Sequence, residues 1–224
     1  MFRKSALAAL VALTCAGSAS AMPIYAPLGP QQNVAFATVT SGGWSQCFAQ
    51  DYGTTGTSLA AMAAGCTGDL MMLAGAPDGA TDIQLLAWAP KVDVLFATVD
   101  CSSTTHNANG SDWYYNQSCS MGFAPQGFGI SQNTADTASA PGFGEQPDGA
   151  LRLSWHTNGG NLNGGWRVGQ NTFLNSEPSG FTRYIFSADS ASVAPVPEPA
   201  TLTLFGVGLV GITAAVRRRR QAGK

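Results

Sequence analysis

From Ala200 to Val216 the sequence ATLTLFGVGLVGITAAV carries no charge, and four arginines, Arg217, Arg218, Arg219 and Arg220, follow it at once. As a helix rising about 1.5 Å per residue, this run reaches about 25 Å, near the lower limit for crossing a bilayer. Residues 200–216 are therefore predicted as a transmembrane helix, and no soluble core has to be found for them. Arginines at the end of such a span stay on the cytoplasmic side. That orientation leaves the chain up to residue 199 outside the cytoplasm.

The other end makes the same demand independently. Arg3 and Lys4 precede an apolar run from Ser5 to Gly17, and Ala19-Ser20-Ala21 supplies small residues for cleavage. A basic start, a short apolar stretch and small residues at the cut describe a secretory signal peptide, 1–21, removed between Ala21 and Met22. Cys15 reads as a passenger, because Thr14 precedes it where lipidated signals carry a smaller residue. The partners expected at this end are the secretion machinery and signal peptidase.

Immediately before the apolar run stands Val196-Pro197-Glu198-Pro199. Pro197-Glu198-Pro199, an apolar stretch and an arginine cluster near the end, in that order, resemble the PEP-CTERM sorting signal of Gram-negative bacteria, here spanning 196–224. The resemblance implies recognition by an exosortase-type sorting enzyme, a membrane-embedded cysteine transpeptidase. That enzyme removes the hydrophobic tail and passes the protein from its transient inner-membrane anchor to the cell surface or extracellular matrix. Such systems accompany exopolysaccharide, which makes exopolysaccharide a further partner to consider. The signal marks a substrate of the sorting enzyme and is silent on what the exported domain does.

That domain is predicted at 22–195. It carries four of the eleven Lys and Arg (Lys91, Arg152, Arg167, Arg183) and all the acidic residues except Glu198, a net charge of 4 minus 12, or −8. A surface so acidic repels a phosphate backbone, so nucleic acid is excluded as a partner. Five tryptophans fall within it (Trp44, Trp88, Trp113, Trp155, Trp166), enough apolar area to argue against disorder. Residues 34–39, 83–88, 92–99, 151–155 and 181–186 are rich in β-branched or aromatic residues between turn formers, and read as strands. In 151–155, Leu151, Leu153 and Trp155 alternate with Arg152 and Ser154, the pattern of a strand with one wet face. Only 58–64 reads as a helix. The fold class expected is mainly β, a disulfide-linked sandwich or jelly-roll-like exported domain plus the C-terminal transmembrane helix.

Four cysteines remain after signal removal: Cys47, Cys66, Cys101 and Cys119. An even number in an oxidising compartment points to two disulfides. Three pairings are open, and the nearest-neighbour one, Cys47 with Cys66 and Cys101 with Cys119, is preferred. A four-cysteine metal site is the weaker reading because no C-x-x-C pair occurs.

The blocks Gln84–Pro90, Asp93–Phe96, Thr105–Asn107, Trp113–Tyr115 and Ser154–Thr157, with Gly164–Arg167, resemble a widespread secreted domain without an assigned role. Its relatives commonly carry a further cysteine pair where this chain has Ser154 and Val168. The resemblance spans about 41–187 and implies no activity.

Chemistry is sparse in the domain. His106 and His156 would need Asp100, Asp112 or Asp148 beside them to form a metal or acid–base site, and no HExxH, GxSxG or calcium-loop pattern is present. Glu145 with Asp148 is the sort of acid pair a hydrolase would need. Trp44 and Trp166, each after two glycines, and Trp113 are candidates for a ligand surface, although such rings serve as readily in a core. No catalytic residue, metal ligand or cofactor is assigned. The expected function is a non-catalytic structural or glycan-associated surface component, the alternative being a secreted hydrolase acting on extracellular polysaccharide.

Overall fold

The computed structural model describes residues 24–98, 104–116, 120–130, 149–157 and 166–190. A first antiparallel sheet is built from β1 (Gln31–Ala35), β2 (Ser45–Asp51), β3 (Leu70–Pro77), β4 (Asp82–Pro90) and β10 (Phe181–Ala188), in the order β1-β4-β3-β10-β2. The second contains β5 (His106–Ala108), β6 (Ser111–Tyr115), β7 (Ser120–Pro125), β8 (Leu153–His156) and β9 (Arg167–Val168), in sequential order. The pair forms a sandwich, and the second sheet is a meander without the crossovers of a jelly roll.

Strand alternation explains how the two layers meet. Met71 and Leu73 of β3, Leu85, Ala87 and Ala89 of β4 and Ile185 of β10 pack with Trp113, Met121, Phe123, Leu153, Trp155 and Val168 from the second sheet. The opposite face of β3, with Leu70, Met72 and Ala74, joins Phe186 and Leu86 in a second core. That core is closed by Ile24, Trp44 and Val39, the last on the short helix α1 (Phe36–Ser41). Gly42 makes this closure possible, since a Cβ there would lie 2.4 Å from the Tyr25 Cβ.

Several expected elements are present with shifted bounds. β4 covers 83–88, β10 covers 181–186, and α2 (Leu59–Ala63) lies within 58–64, capped by the Ser58 hydroxyl accepting from Ala61 N. Pro77-Asp78-Gly79-Ala80 turns β3 into β4, with Gly79 at φ 73° and Ala80 N donating to Pro77 O. Segment 34–39 divides instead between β1 and α1. Its β-prone residues become helical because Val39 is carried into the second core while Thr40 and Ser41 bond back to the carbonyls of Phe36 and Ala37. Segment 92–99 likewise opens as helix α3 (Lys91–Val94) and keeps only a bridge from Ala97 to Tyr115. The 151–155 strand starts late, after a 3-10 turn at Gly149–Leu151. Its supposed wet face is also closed, with Arg152 and Ser154 at 1% and 0% exposure.

No helix among the described residues is long and apolar enough to cross a membrane. The predicted span 200–216 and the signal peptide 1–21 lie outside the described residues.

Candidate functional site

The three tryptophans proposed as a ligand surface are interior. Trp44, Trp113 and Trp166 are buried; the Trp44 indole donates to Tyr25 O at 2.7 Å and that of Trp113 to Ala108 O at 3.0 Å. Burying a ring of this size removes about 150–250 Å² from water, on the order of 4–6 kcal/mol each as an upper figure. The core outcompetes any ligand for them, so their candidacy as a ligand surface is corrected in favour of core packing. Among the described residues the large exposed aromatic rings are Phe96, Phe128 and Phe173, with Phe96 at 51%.

The histidines also separate. His106 lies on edge strand β5, and His156 is buried on β8 with its ring 5.0 Å from that of Trp166. Three strand spacings between β5 and β8 amount to about 14 Å, so the two imidazoles serve no common site. His106 Nε2 meets Asp93 Oδ1 at 2.7 Å, and Phe96 stacks on its ring with centroids 4.3 Å apart. α3 positions this group: Asp93 is on the helix, and Phe96 N caps it by donating to Asp93 O. In the sequence Asp93 stands only within the block Asp93–Phe96. Its link to His106 follows from a β4–α3 turn that reads as a strand.

Four of the described carboxylates act as hydrogen-bonded clasps between segments. Asp112 accepts from Gly127 N and Gly129 N through one oxygen and from Asn107 Nδ2 through the other. Asp51 accepts from Gly53 N and Ser179 N, Asp78 from Thr182 Oγ1, and Glu177 from Thr54 Oγ1. No group of three His, Cys, Asp or Glu able to hold a metal occurs among the described residues. Asp100, Glu145 and Asp148 lie outside them.

Three of the domain's four cations are buried, a placement that composition does not foretell. Arg152 Nη1 donates to Gly129 O, and Arg167 Nη2 to Gly149 O and Gly169 O, so each guanidinium ties a loop to the second sheet. Tyr114, Gly122, Ser154 and Arg167 form one cross-strand row. A Cβ on Gly122 would sit 2.6 Å from the Tyr114 hydroxyl, so glycine there leaves room for the phenol. Arg183 projects between the sheets, its guanidinium carbon 5.8 to 5.9 Å from the ring centroids of Phe48, Trp155 and Trp166. Its Nη2 donates to Gln50 Oε1 and Thr54 O. Burial strips solvation from this cation and lowers its pKa to about 10, partly offset by Tyr52, Asp51 and Glu177. Burial likewise pushes the Tyr52 phenol well up, and its hydroxyl, neutral, lies 2.8 Å from Ser154 O and 2.6 Å from Arg167 O.

Cys47 and Cys66 form a disulfide with Cα atoms 5.1 Å apart. Cys101 and Cys119 lie outside the described residues. Near this staple Ser190, the last described residue, donates from its N and its Oγ to the two oxygens of Asp69. These bonds hold the Asp69 carboxyl below its ordinary value. Pro197, Glu198, Pro199 and Arg217 to Arg220 follow beyond the described residues.

Neither a curated protein nor a solved structure matches the chain. One family model does, the PEP-CTERM protein-sorting motif, over residues 195–220, starting one residue before the Val196 read from the sequence. With the Pro-Glu-Pro, apolar and arginine segments inside the match, the chain carries a PEP-CTERM protein-sorting motif at residues 195–220, which supports its being an exosortase substrate.

Proposed function

We propose that the protein is a non-catalytic component of the cell surface or extracellular matrix, delivered by the exosortase route and associated there with exopolysaccharide. The observation that carries the reading is the sorting motif at 195–220. The use of Asp51, Asp69 and Asp112 as clasps supports a structural role, since a carboxylate accepting backbone N–H groups is poorly suited to move protons. The glycan contact in this reading is Phe96. Its ring is half exposed, backed by His106, with the Asp93 carboxylate alongside as an acceptor.

The test is to incubate the mature protein with polysaccharide isolated from the producing bacterium, following retention and reducing-end release in the same tubes. Retention without release, reduced about tenfold by Phe96→Ala, a loss of about 1.4 kcal/mol, is the expected result. Sugar release abolished by changing one carboxylate would replace this reading with a hydrolase. Absence of both signals would leave the sorting route intact and remove the glycan.

A further inference from the structure

The N-terminal strap and the C-terminal exit converge on one end of the first sheet. At the entry, Tyr25 N donates to Gly42 O at 2.8 Å, just before β2 begins. At the exit, β10 finishes beside the starts of β2 and β3, with Ser187 paired to Ser45 and Ala188 to Leu70, and Ser190 is then held by Asp69. Between entry and exit lies a shallow cavity of about 170 Å³, lined by residues including Gly43, Ser45, Thr67, Gly68, Ser187 and Asp189. Cys47 and Gly65 line it too, so the disulfide braces this end.

We propose that this end of the sandwich is a docking surface for the exosortase, which meets the folded domain while it takes the motif. The proposal rests on the sorting reading above. From Ser190 to Pro197 there are seven residues, and even fully extended they span at most about 25 Å. An enzyme embedded in the membrane that grips Pro197-Glu198-Pro199 therefore has the cavity end of the domain within its reach. The surface chemistry selects protein over lipid. The exposed Ser45, Thr67 and Asp189 line the cavity, and the exposed Asp69 follows Gly68 of its lining, while none of the large exposed apolar side chains, Leu28, Val92, Phe96, Phe128 or Phe173, lines it. The nearby cation, Lys91, is turned onto Cys66 O at 2.6 Å. Acidic groups repel anionic headgroups, and the hydroxyls and carboxylates fit a polar surface that offers donors and positive charge.

The test follows C-terminal processing of the full chain in the producing bacterium by intact mass over time. Ser45→Arg with Thr67→Arg places bulk and like charge against the enzyme and is expected to slow processing about tenfold. Inserting fifteen Gly and Ser residues after Ser190 lets the domain stand off, and is expected to return the double variant to the wild-type rate. Wild-type processing of the double variant overturns the proposal. Slow processing that the insertion fails to relieve also overturns it, since the defect then lies in the fold and not in the contact. Glu198→Ala is the separate control: unchanged processing there would defeat the sorting reading itself.

Discussion

Arg183 is the residue whose placement runs most against expectation. It is the sort of group that sits at a surface, yet it is fully buried among three aromatic rings, and its Nε and Nη1 have no hydrogen-bond partner among the described residues. Ring faces and two acceptors offset part of the desolvation, and the long side chain fills the space between the sheets. Arg183→Met keeps most of that volume without the buried charge and is expected to hold stability within about 1 kcal/mol, whereas Arg183→Ala leaves a void costing about 2–4 kcal/mol. Urea melts of both variants check this, and equal losses would show that charge contributes more than volume. Asp69 gives a second prediction at this scale. Its folded pKa lies below the ordinary 3.8, so its clamp on Ser190 is present above that pH and is lost as pH falls through the folded value. The Ser190 amide signal is expected to hold steady from neutral pH down to about pH 4 and to shift only under stronger acid. A shift completed near pH 6 would contradict it.

Among the elements, the disulfide is the one whose contribution is easiest to isolate. It closes a loop with a sequence separation of 19, for which chain entropy gives about 3 kcal/mol. Replacing Cys47 and Cys66 together by alanine is expected to lower unfolding free energy by about that amount in denaturant melts, and no change would show that β2 and α2 hold together without it. Legibility in the sequence follows burial. β10 and β4 announce themselves by β-branched and aromatic residues, and Ser58 caps the start of α2 as N-cap chemistry favours. β3 stayed hidden because a central strand covered on both faces shows an unbroken apolar run, LMMLAGAP, instead of alternation. In 34–39 and 92–99 tertiary packing overrode β propensity, and the second error concealed the Asp93, Phe96 and His106 group. The tryptophans were legible as large apolar groups, but which side of a surface they occupy depends on neighbours far away in the chain.

At the scale of the molecule, a two-sheet body and a sorting motif divide the sequence. The address was readable because its parts, a Pro-Glu-Pro, an apolar run and an arginine cluster, stand in order within the residues that the sorting motif matches. The body's role was not, because many of its described polar side chains hold loops and the rings of Trp44, Trp113, Trp155 and Trp166 are buried. The short segment between Ser190 and Pro197 couples the two. The most direct test of this account is the intact mass of the protein recovered from the producing bacterium, with and without its exosortase. With the enzyme, the account predicts a product lacking residues 1–21 and the arginine-rich end; without it, a product that keeps Lys224. A protein that retains Lys224 in the presence of the active enzyme would contradict it.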